Sequence, residues 1–590
     1  MKPAPTIPWG WLALLVAVVA TYFFGLDSPY APTNGDEMVY VHIARLTALS
    51  DHWLPLVSDL ANMRNTKPPL LFWQAMVAGD WGQNWSLLAL RLPSVTYTLL
   101  TAGLIALLTH RISGHARTAY LACVLYLLYF STFRYGRVYL TSAPETFWFS
   151  LPLFWLLWLH LRQPDSPSNR PIGLSLAAYT LAGFAMGIGV AYKSFALVAP
   201  AAATLWCATA WRSPMPTWRD ALRATAGTAV AAVIALSIFA LWLVLDPDPA
   251  AVWTEFVIGE NASKMSGEHG YWHAALFGDY PIWSQLLAYP ENAGLLVFVV
   301  LGWAWVEGRS ALRRSMTDRL SATSRILWIW LAVWLLVFSL PSQRSARYVI
   351  PAMPALAILM ALAWEKIARP WFWVTLLINT PALLIMARVG WVMGDLQIAS
   401  AQEIAMLLVA ACAGIAGVIA GFSIKNWAPN ATLIACLAVY ATFGLLIAPL
   451  STPEAGYAKR IQQQLQNKRV AVPNGFTGQY ERFHFLLSQS ELVPYDAEGR
   501  NTGALRPELP PVERLGYLLE QFDAVVWLQD HISQEQPSCI PQCTVLGSRW
   551  HVKSRHKSGE ITLSNLWYPQ EWLFRREWLV ASTQQNATLP

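Results

Sequence analysis

Residues 10–26 read GWLALLVAVVATYFFGL, and residues 34–45, a few positions on, read NGDEMVYVHIAR. The first stretch has 17 residues and no charge, while the second carries two adjacent carboxylates, a histidine and an arginine. A helix needs about 20 apolar residues to cross roughly 30 Å of hydrocarbon. The first stretch therefore reads as a membrane span and the second as the point where the chain re-enters water. Lys2 precedes the apolar run as in a signal peptide. No small-x-small cleavage site follows, and more apolar runs do, so the reading is an uncleaved first helix.

Working outward, thirteen runs of this kind are centred near residues 18, 98, 125, 153, 182, 203, 233, 298, 333, 356, 380, 412 and 440. The composition agrees: 55% of the 590 residues are hydrophobic and 13% are charged, against about 25% charged in a soluble domain. The 31 tryptophans suit helices anchored at lipid–water boundaries. With the N-terminus inside, every inner loop is basic, as the positive-inside bias requires. The inner groups are Arg111 and Arg117; Arg162 and Arg170; Arg212, Arg219 and Arg223; Arg309, Arg313, Arg314, Arg319 and Arg325; Lys366 and Arg369; and Lys425. The net charge of +6 thus belongs to membrane topology, and nucleic acid is not an expected partner. The two longest outer connections are residues 27–86 and 246–285, and the C-terminus falls outside, in the periplasm of a bacterial inner-membrane protein.

Residues 1–450 form the expected all-α membrane domain. From residue 451 the pattern changes. Polar helix-like stretches at residues 454–466 and 511–522 alternate with apolar Val470–Val472 and Ala524–Leu528, then with strand-like Thr544–Val552 and Ile561–Leu566. Residues 451–590 are expected to form a small periplasmic α/β domain. Cys123, Cys207, Cys412 and Cys436 lie in apolar runs and read as small hydrophobes. Cys539 and Cys543, in an oxidising compartment, read either as a disulfide or as two free thiols; two thiols alone do not complete a zinc shell.

Ionisable groups near a bilayer are costly, so those at its boundary are functional candidates. On this topology one face gathers Asp36, Glu37, Tyr40, His42, Arg45 and Lys67 in the first loop, then Arg134, Arg137 and Glu145, then Lys193. Glu260, Lys264, Glu268 and His269 follow in the long loop, and Arg344, Arg347 and Tyr348 after residue 340. Singly, each has a plain reading: an Asp-Glu pair caps a helix, Lys193 snorkels, Glu145 starts a helix, and His269 is one histidine. Jointly they suit a lipid-linked sugar phosphate. Cations hold the phosphate and stabilise charge on the leaving group, and a carboxylate takes the proton of an attacking hydroxyl. Asp36, Glu37 and Glu145 are the candidate catalytic groups. Tyr40, Arg45, Lys67, Lys193, His269, Arg344, Arg347 and Tyr348 are candidates for binding the donor.

Several of these stretches resemble the C-type glycosyltransferase superfamily. The likeness is to the bacterial relatives of protein O-mannosyltransferases that include the 4-amino-4-deoxy-L-arabinose lipid A transferase. The stretches are Asp36-Glu37 with Tyr40 and Ile43-Ala44-Arg45, Lys67-Pro68-Pro69-Leu70 with Trp73, Arg91-Leu92-Pro93-Ser94, Tyr192-Lys193, Glu260-Asn261, and Arg347-Tyr348-Val349-Ile350-Pro351. The resemblance covers roughly residues 20–360. It implies an inverting transfer from a polyprenyl-phosphate sugar to a lipid, glycan or protein of the envelope, with Asp36 as principal carboxylate. Lys67, Lys193, Arg344 and Arg347 would bind the carrier phosphate, Tyr40 and Tyr348 would line the cavity, and Glu145 would take the second acidic position. Three departures stand out: Thr66 replaces a glutamate that serves a metal site in the arabinose transferases, Val39 replaces an arginine, and Ser142 stands where an aspartate is usual. No cofactor is firmly expected, and the loss of that glutamate weakens the case for a divalent metal.

A transporter or flippase of a lipid-linked intermediate would also need a polar cavity, but it commonly shows internal repeats and broken helices at the midplane. The sequence shows no duplicated segment. A purely structural membrane scaffold would leave the clustered charges unused.

Overall fold

The computed structural model describes residues 9–30, 35–60, 63–162, 174–211, 217–265, 271–278, 280–313, 321–451, 456–474, 478–495, 511–528, 536–537, 543–553 and 559–582. The chain is mostly helical, and a helix stands at each of the thirteen apolar centres. Eight are long and apolar enough to cross a membrane: Leu87–Ser113, Trp218–Leu245, Ala288–Arg313, Ala322–Ser339, Ala346–Lys366, Arg369–Asp395, Ala401–Ser423 and Ala428–Leu450. Four shorter apolar helices are Trp9–Thr21, Ala116–Leu128, Leu176–Tyr192 and Phe195–Ala210. The remaining one, Ser142–Leu161, carries Glu145 in its first turn. This is a multi-pass membrane protein.

Burial sorts these helices. In Ala346–Lys366, 78% of the apolar window is buried, against 28% in Trp218–Leu245. A helix that is apolar all round and packed on every side is the centre of a bundle, whereas one that keeps its apolar surface exposed faces lipid. Trp218–Leu245 packs on Leu176–Tyr192 through small residues. A Cβ on Gly183 would lie 2.8 Å from the Ala231 carbonyl oxygen, so only glycine allows that approach.

Local chemistry fixes the helix ends that frame the site. Ser86 caps Leu87–Ser113 by accepting from the Ala89 N–H at 3.2 Å, and Gly114 closes it with φ +71°. Ser345 starts the short helix Ala346–Ala352 by accepting from the Arg347 N–H. Asp36 and Glu37 occupy the first turn of Gly35–Leu49, where the helix dipole favours carboxylates.

The C-terminal part carries one five-stranded sheet: β1 (Arg469–Pro473), β2 (Glu491–Tyr495), β3 (Ala524–Leu528), β4 (Cys543–Val552) and β5 (Phe574–Ser582), in the order β2-β1-β3-β5-β4. β1 is parallel to β2 and to β3, while β5 runs antiparallel to β3 and β4. Residues 561–566, expected as a strand, instead enter the helix Leu563–Trp567, because Thr562 caps it by accepting from the Asn565 N–H. The strands the sequence reading missed are β2 and β5. In β5 the Arg575-Arg576-Glu577 run hides the apolar alternation of a strand that lies between β3 and β4. Cys543 is disulfide-bonded, whereas Cys123, Cys207, Cys412 and Cys436 are free; Cys539 lies outside the described residues.

Candidate active site

Six segments converge on one hollow: the start of helix Gly35–Leu49, the loop before Leu70, the start of Ser142–Leu161, the end of Leu176–Tyr192, the segment Val252–Asn261 and the short helix Ala346–Ala352. Asp36 is about half exposed, and its Oδ2 lies 3.5 Å from Arg347 Nη1. The Arg347 guanidinium sits over the Tyr135 ring at 4.7 Å. Glu145 is fully buried, and its carboxylate accepts from Lys193 Nζ at 2.8–2.9 Å. Lys193 stands where helix Leu176–Tyr192 ends, and its ammonium faces the Tyr348 ring at 5.9 Å.

Lys67 donates to the Thr66 carbonyl and to Glu260 Oε1, each at 2.7 Å, and lies 5.7 Å from the centre of the Tyr40 ring. Glu260 also receives Lys264 Nζ at 3.1 Å. Burial raises the Glu260 pKa, but the two ammonium groups outweigh it and hold this carboxyl below its ordinary value. The next residue, Asn261, accepts from the Ser194 hydroxyl, which ties the Glu260 segment to the Lys193 segment. Tyr40 lies at the centre, where the charges of Asp36, Glu260, Arg347 and Glu145 all act on its hydroxyl. Lys193 in turn feels Arg347 and Lys67. Lys67, Lys193, Lys264 and Arg347 thus face Asp36, Glu145 and Glu260, four cations to three carboxylates. The surplus suits an anionic ligand.

Three of the expected site residues stand elsewhere. Glu37 is fully buried and forms a two-pronged pair with Arg91, Nε to Oε1 at 2.7 Å and Nη2 to Oε2 at 2.8 Å. It also accepts from the Tyr139 N–H at 2.9 Å. Arg91 donates onward to the Leu26 and Ser28 carbonyls, so the pair clamps the first loop and offers nothing to a substrate. Arg45 pairs with Glu481 of the C-terminal part. Arg344 is buried and spends its guanidinium on the backbone carbonyls of Ser339, Ala274 and Tyr280. These three residues hold loops, because their charged ends are engaged by protein groups. His269 lies outside the described residues.

Glu260 is the residue that the sequence reading left out of the site. It sits in Val252–Asn261, a π-helical turn, a form that often marks a functional position. Among the described residues no group of three or more His, Cys, Asp or Glu side chains gathers as a metal site would. The nearest local donors do not fit one either: Thr66 brings a neutral hydroxyl, and Glu260 is already held by two ammonium groups.

Comparison with known proteins gives the same architecture. Residues 11–256 match the family of dolichyl-phosphate-mannose-protein mannosyltransferases. The crystal structure of ArnT from Cupriavidus metallidurans bound to undecaprenyl phosphate superposes over 97% of this chain and 98% of that one, with a TM-score of 0.53 at 18% identity. The chain is similar to this family over that stretch and, over most of its length, to undecaprenyl phosphate-alpha-4-amino-4-deoxy-L-arabinose arabinosyl transferases. The one from Edwardsiella ictaluri is 24% identical over 90% of this chain and 93% of its own length. The first such enzyme of Sodalis glossinidius is 27% identical over 60% of this chain, and the match spans 58% of that relative.

Proposed function

We propose that this protein is an inner-membrane glycosyltransferase that moves a sugar from a polyprenyl-phosphate donor to an envelope acceptor at the periplasmic face. The convergence of Asp36, Lys67, Glu145, Lys193, Glu260 and Arg347 in one hollow supports this reading most directly. The donor class named for the relatives, an undecaprenyl phosphate carrying 4-amino-4-deoxy-L-arabinose, matches the surplus of positive charge. The acceptor is an oxygen nucleophile of an envelope glycolipid such as lipid A. In the membrane arrangement that goes with this reading, thirteen crossings put the N-terminus inside and residues 451–590 outside as a periplasmic domain. Residues 1–450 are then the membrane domain.

The chemistry follows from the groups present. Lys67, Lys193 and Arg347 grip the carrier phosphate. The acceptor O–H attacks the anomeric carbon from the opposite side, and Asp36 takes its proton. As the new C–O bond forms, the bond from the anomeric carbon to the phosphate oxygen breaks. Its electron pair leaves on the polyprenyl phosphate, whose growing charge the three cations stabilise. The sugar is transferred with inversion. Glu145 keeps Lys193 aimed, and Glu260 does the same for Lys67.

Purified Lys67→Ala and Asp36→Asn variants test this. Both should accumulate as folded protein, and both should lose sugar transfer from undecaprenyl phosphate-4-amino-4-deoxy-L-arabinose. Normal transfer by either would remove it from the machinery. Uptake of lipid-linked sugar into vesicles without transfer would make the protein a transporter instead.

A further inference from the structure

The helix that presents Asp36 is held at a second place, far from the hollow. Gly35–Leu49 carries Asp36 in its first turn and His42 six residues later, about 9 Å along the axis. His42 and Arg45 both reach Glu481, which belongs to the short helix Gln479–Phe485 of the C-terminal part. Glu481 is fully buried. Its Oε2 lies 2.9 Å from His42 Nδ1 and 3.1 Å from Arg45 Nη2, and Arg45 Nε donates to Oε1. The other His42 nitrogen, Nε2, lies 2.6 Å from Asp59 Oδ1, and the Tyr480 hydroxyl reaches the same Asp59 oxygen at 3.3 Å.

The backbones come as close as the side chains. Gly478 has φ +77°, and a Cβ there would lie 2.9 Å from Val39 Cγ2, 3.2 Å from its Cα and 3.3 Å from its N. The C-terminal part therefore touches the main chain of the Asp36 helix one turn beyond Asp36. A second buried cluster grips the chain ahead of that helix. Glu577 pairs with Arg482 and lies beside Arg549 and His551. His551 Nδ1 is 3.1 Å from the Tyr30 hydroxyl, and Arg549 donates to that hydroxyl at 3.3 Å. The stretch bearing Asp36 is thus pinned on both sides by groups from residues 478–577.

We propose that the C-terminal part is a positioning element of the transfer reaction, and that Glu481 is the residue through which it sets Asp36 opposite Arg347. The proposal rests on the reading of Asp36 as the principal carboxylate. Glu481 touches no substrate and acts through His42, Arg45 and the helix they share. Asp36 stands in the first turn of that helix, so its place depends on the helix. A misplacement of about 1 Å costs about 100-fold in rate.

The test uses full-length protein carrying Glu481→Gln or, as a charge-free way to part the same surfaces, Gly478→Ala. Transfer is measured with undecaprenyl phosphate-4-amino-4-deoxy-L-arabinose as donor and lipid A as acceptor. Affinity for undecaprenyl phosphate alone is measured beside it. A spin-label distance is taken between Leu49→Cys and Leu340→Cys, both at exposed positions, with the exposed free Cys412 replaced by serine. The expected result is kcat lower by about 100-fold, KM for the donor and undecaprenyl phosphate affinity within about twofold, and a broadened label distance in folded protein. Unchanged kcat with an unchanged distance overturns the proposal, and so does a loss carried by KM. If either variant fails to fold, the other decides. If the wild-type chain does not use this donor, the label distance decides alone. An active Asp36→Asn sinks the reading of the site. An inactive Asp36→Asn beside a fully active Glu481→Gln sinks only this inference.

Discussion

The hollow around Asp36 and the joint between helix Gly35–Leu49 and the C-terminal part are both built from ion pairs, and they use them in opposite ways. In the hollow, Asp36 and Arg347 keep 46% and 33% of their side chains exposed and stand 3.5 Å apart. In the joint, Glu481 and Glu577 are fully buried, and each is held by two or more basic groups. A charge with access to water can meet a ligand, whereas a buried one fixes geometry. Residue type does not separate the two regions, since both use carboxylates with arginine. Exposure of the paired groups does.

Neighbouring carboxylates offer the sharpest way to break this contrast. Asp36→Asn should cut kcat by about 1,000-fold and leave the melting midpoint in detergent unchanged, because the contact it removes is loose and wet. Glu37→Gln should do the reverse. It strips one partner from a buried two-pronged pair, a change that costs about 3–5 kcal/mol, so the protein should accumulate poorly. Whatever folds should transfer at the normal rate per molecule. A Glu37→Gln protein that is stable but inactive would place Glu37 in the chemistry and erase the distinction.

This contrast also marks how far the sequence can be read. The membrane class, the helix at each apolar centre and the candidacy of Asp36, Lys67, Lys193 and Arg347 were legible, because hydropathy and the sidedness of charges are properties of the chain. What the chain does not show is the phase of a charge around its helix and the identity of its partner. Asp36 and Glu37 are adjacent, so they point about 100° apart; one faces the hollow and the other faces Arg91. Arg45 reads like a headgroup binder until Glu481, 436 residues on, is seen beside it. Arg344 reads likewise, but its partners are backbone carbonyls, which no motif announces. β5 was missed for a related reason, since Glu577 is charged and yet buried by its pairs with Arg482 and His551.

The joint should answer to acid more than the hollow does. Burial alone would raise Glu481 and Glu577, yet their basic partners hold both at about 2. The stability each contributes is complete above about 4.3, the unfolded value, and is lost as pH falls toward 2. His484 and His551 are lowered by burial to about 4. Unfolded histidine binds its proton near 6.5, so folding keeps both neutral at increasing cost as pH falls from about 6.5 to 4. His42 runs the other way. Burial lowers it, but the carboxylates of Asp59 and Glu481 lift it above its ordinary value. Its share is complete below about 6.5 and is lost as pH rises through that raised value. The melting midpoint of the full chain should therefore fall by about 4–8 °C between pH 7 and pH 4, while Glu481→Gln should show a shallower fall below pH 4. A midpoint that is flat over this range would mean that the joint does not contribute to the measured stability.

The smallest effect is expected where the distance is the same and the setting is not. Arg117 Nη1 and Glu365 Oε1 are also 3.5 Å apart, but their side chains are 54% and 82% exposed. Among the described residues no other carboxylate or cation forms an ion pair with either of them. Water screens such a pair, and holding two long side chains together offsets what attraction remains. Glu365→Gln should leave the melting midpoint within about 1 °C and the transfer rate within about twofold of wild type. A loss of transfer comparable to that of Asp36→Asn would show that an ion pair at this spacing matters wherever it sits. The access and convergence at Asp36 would then no longer be what separates a working charge from an idle one.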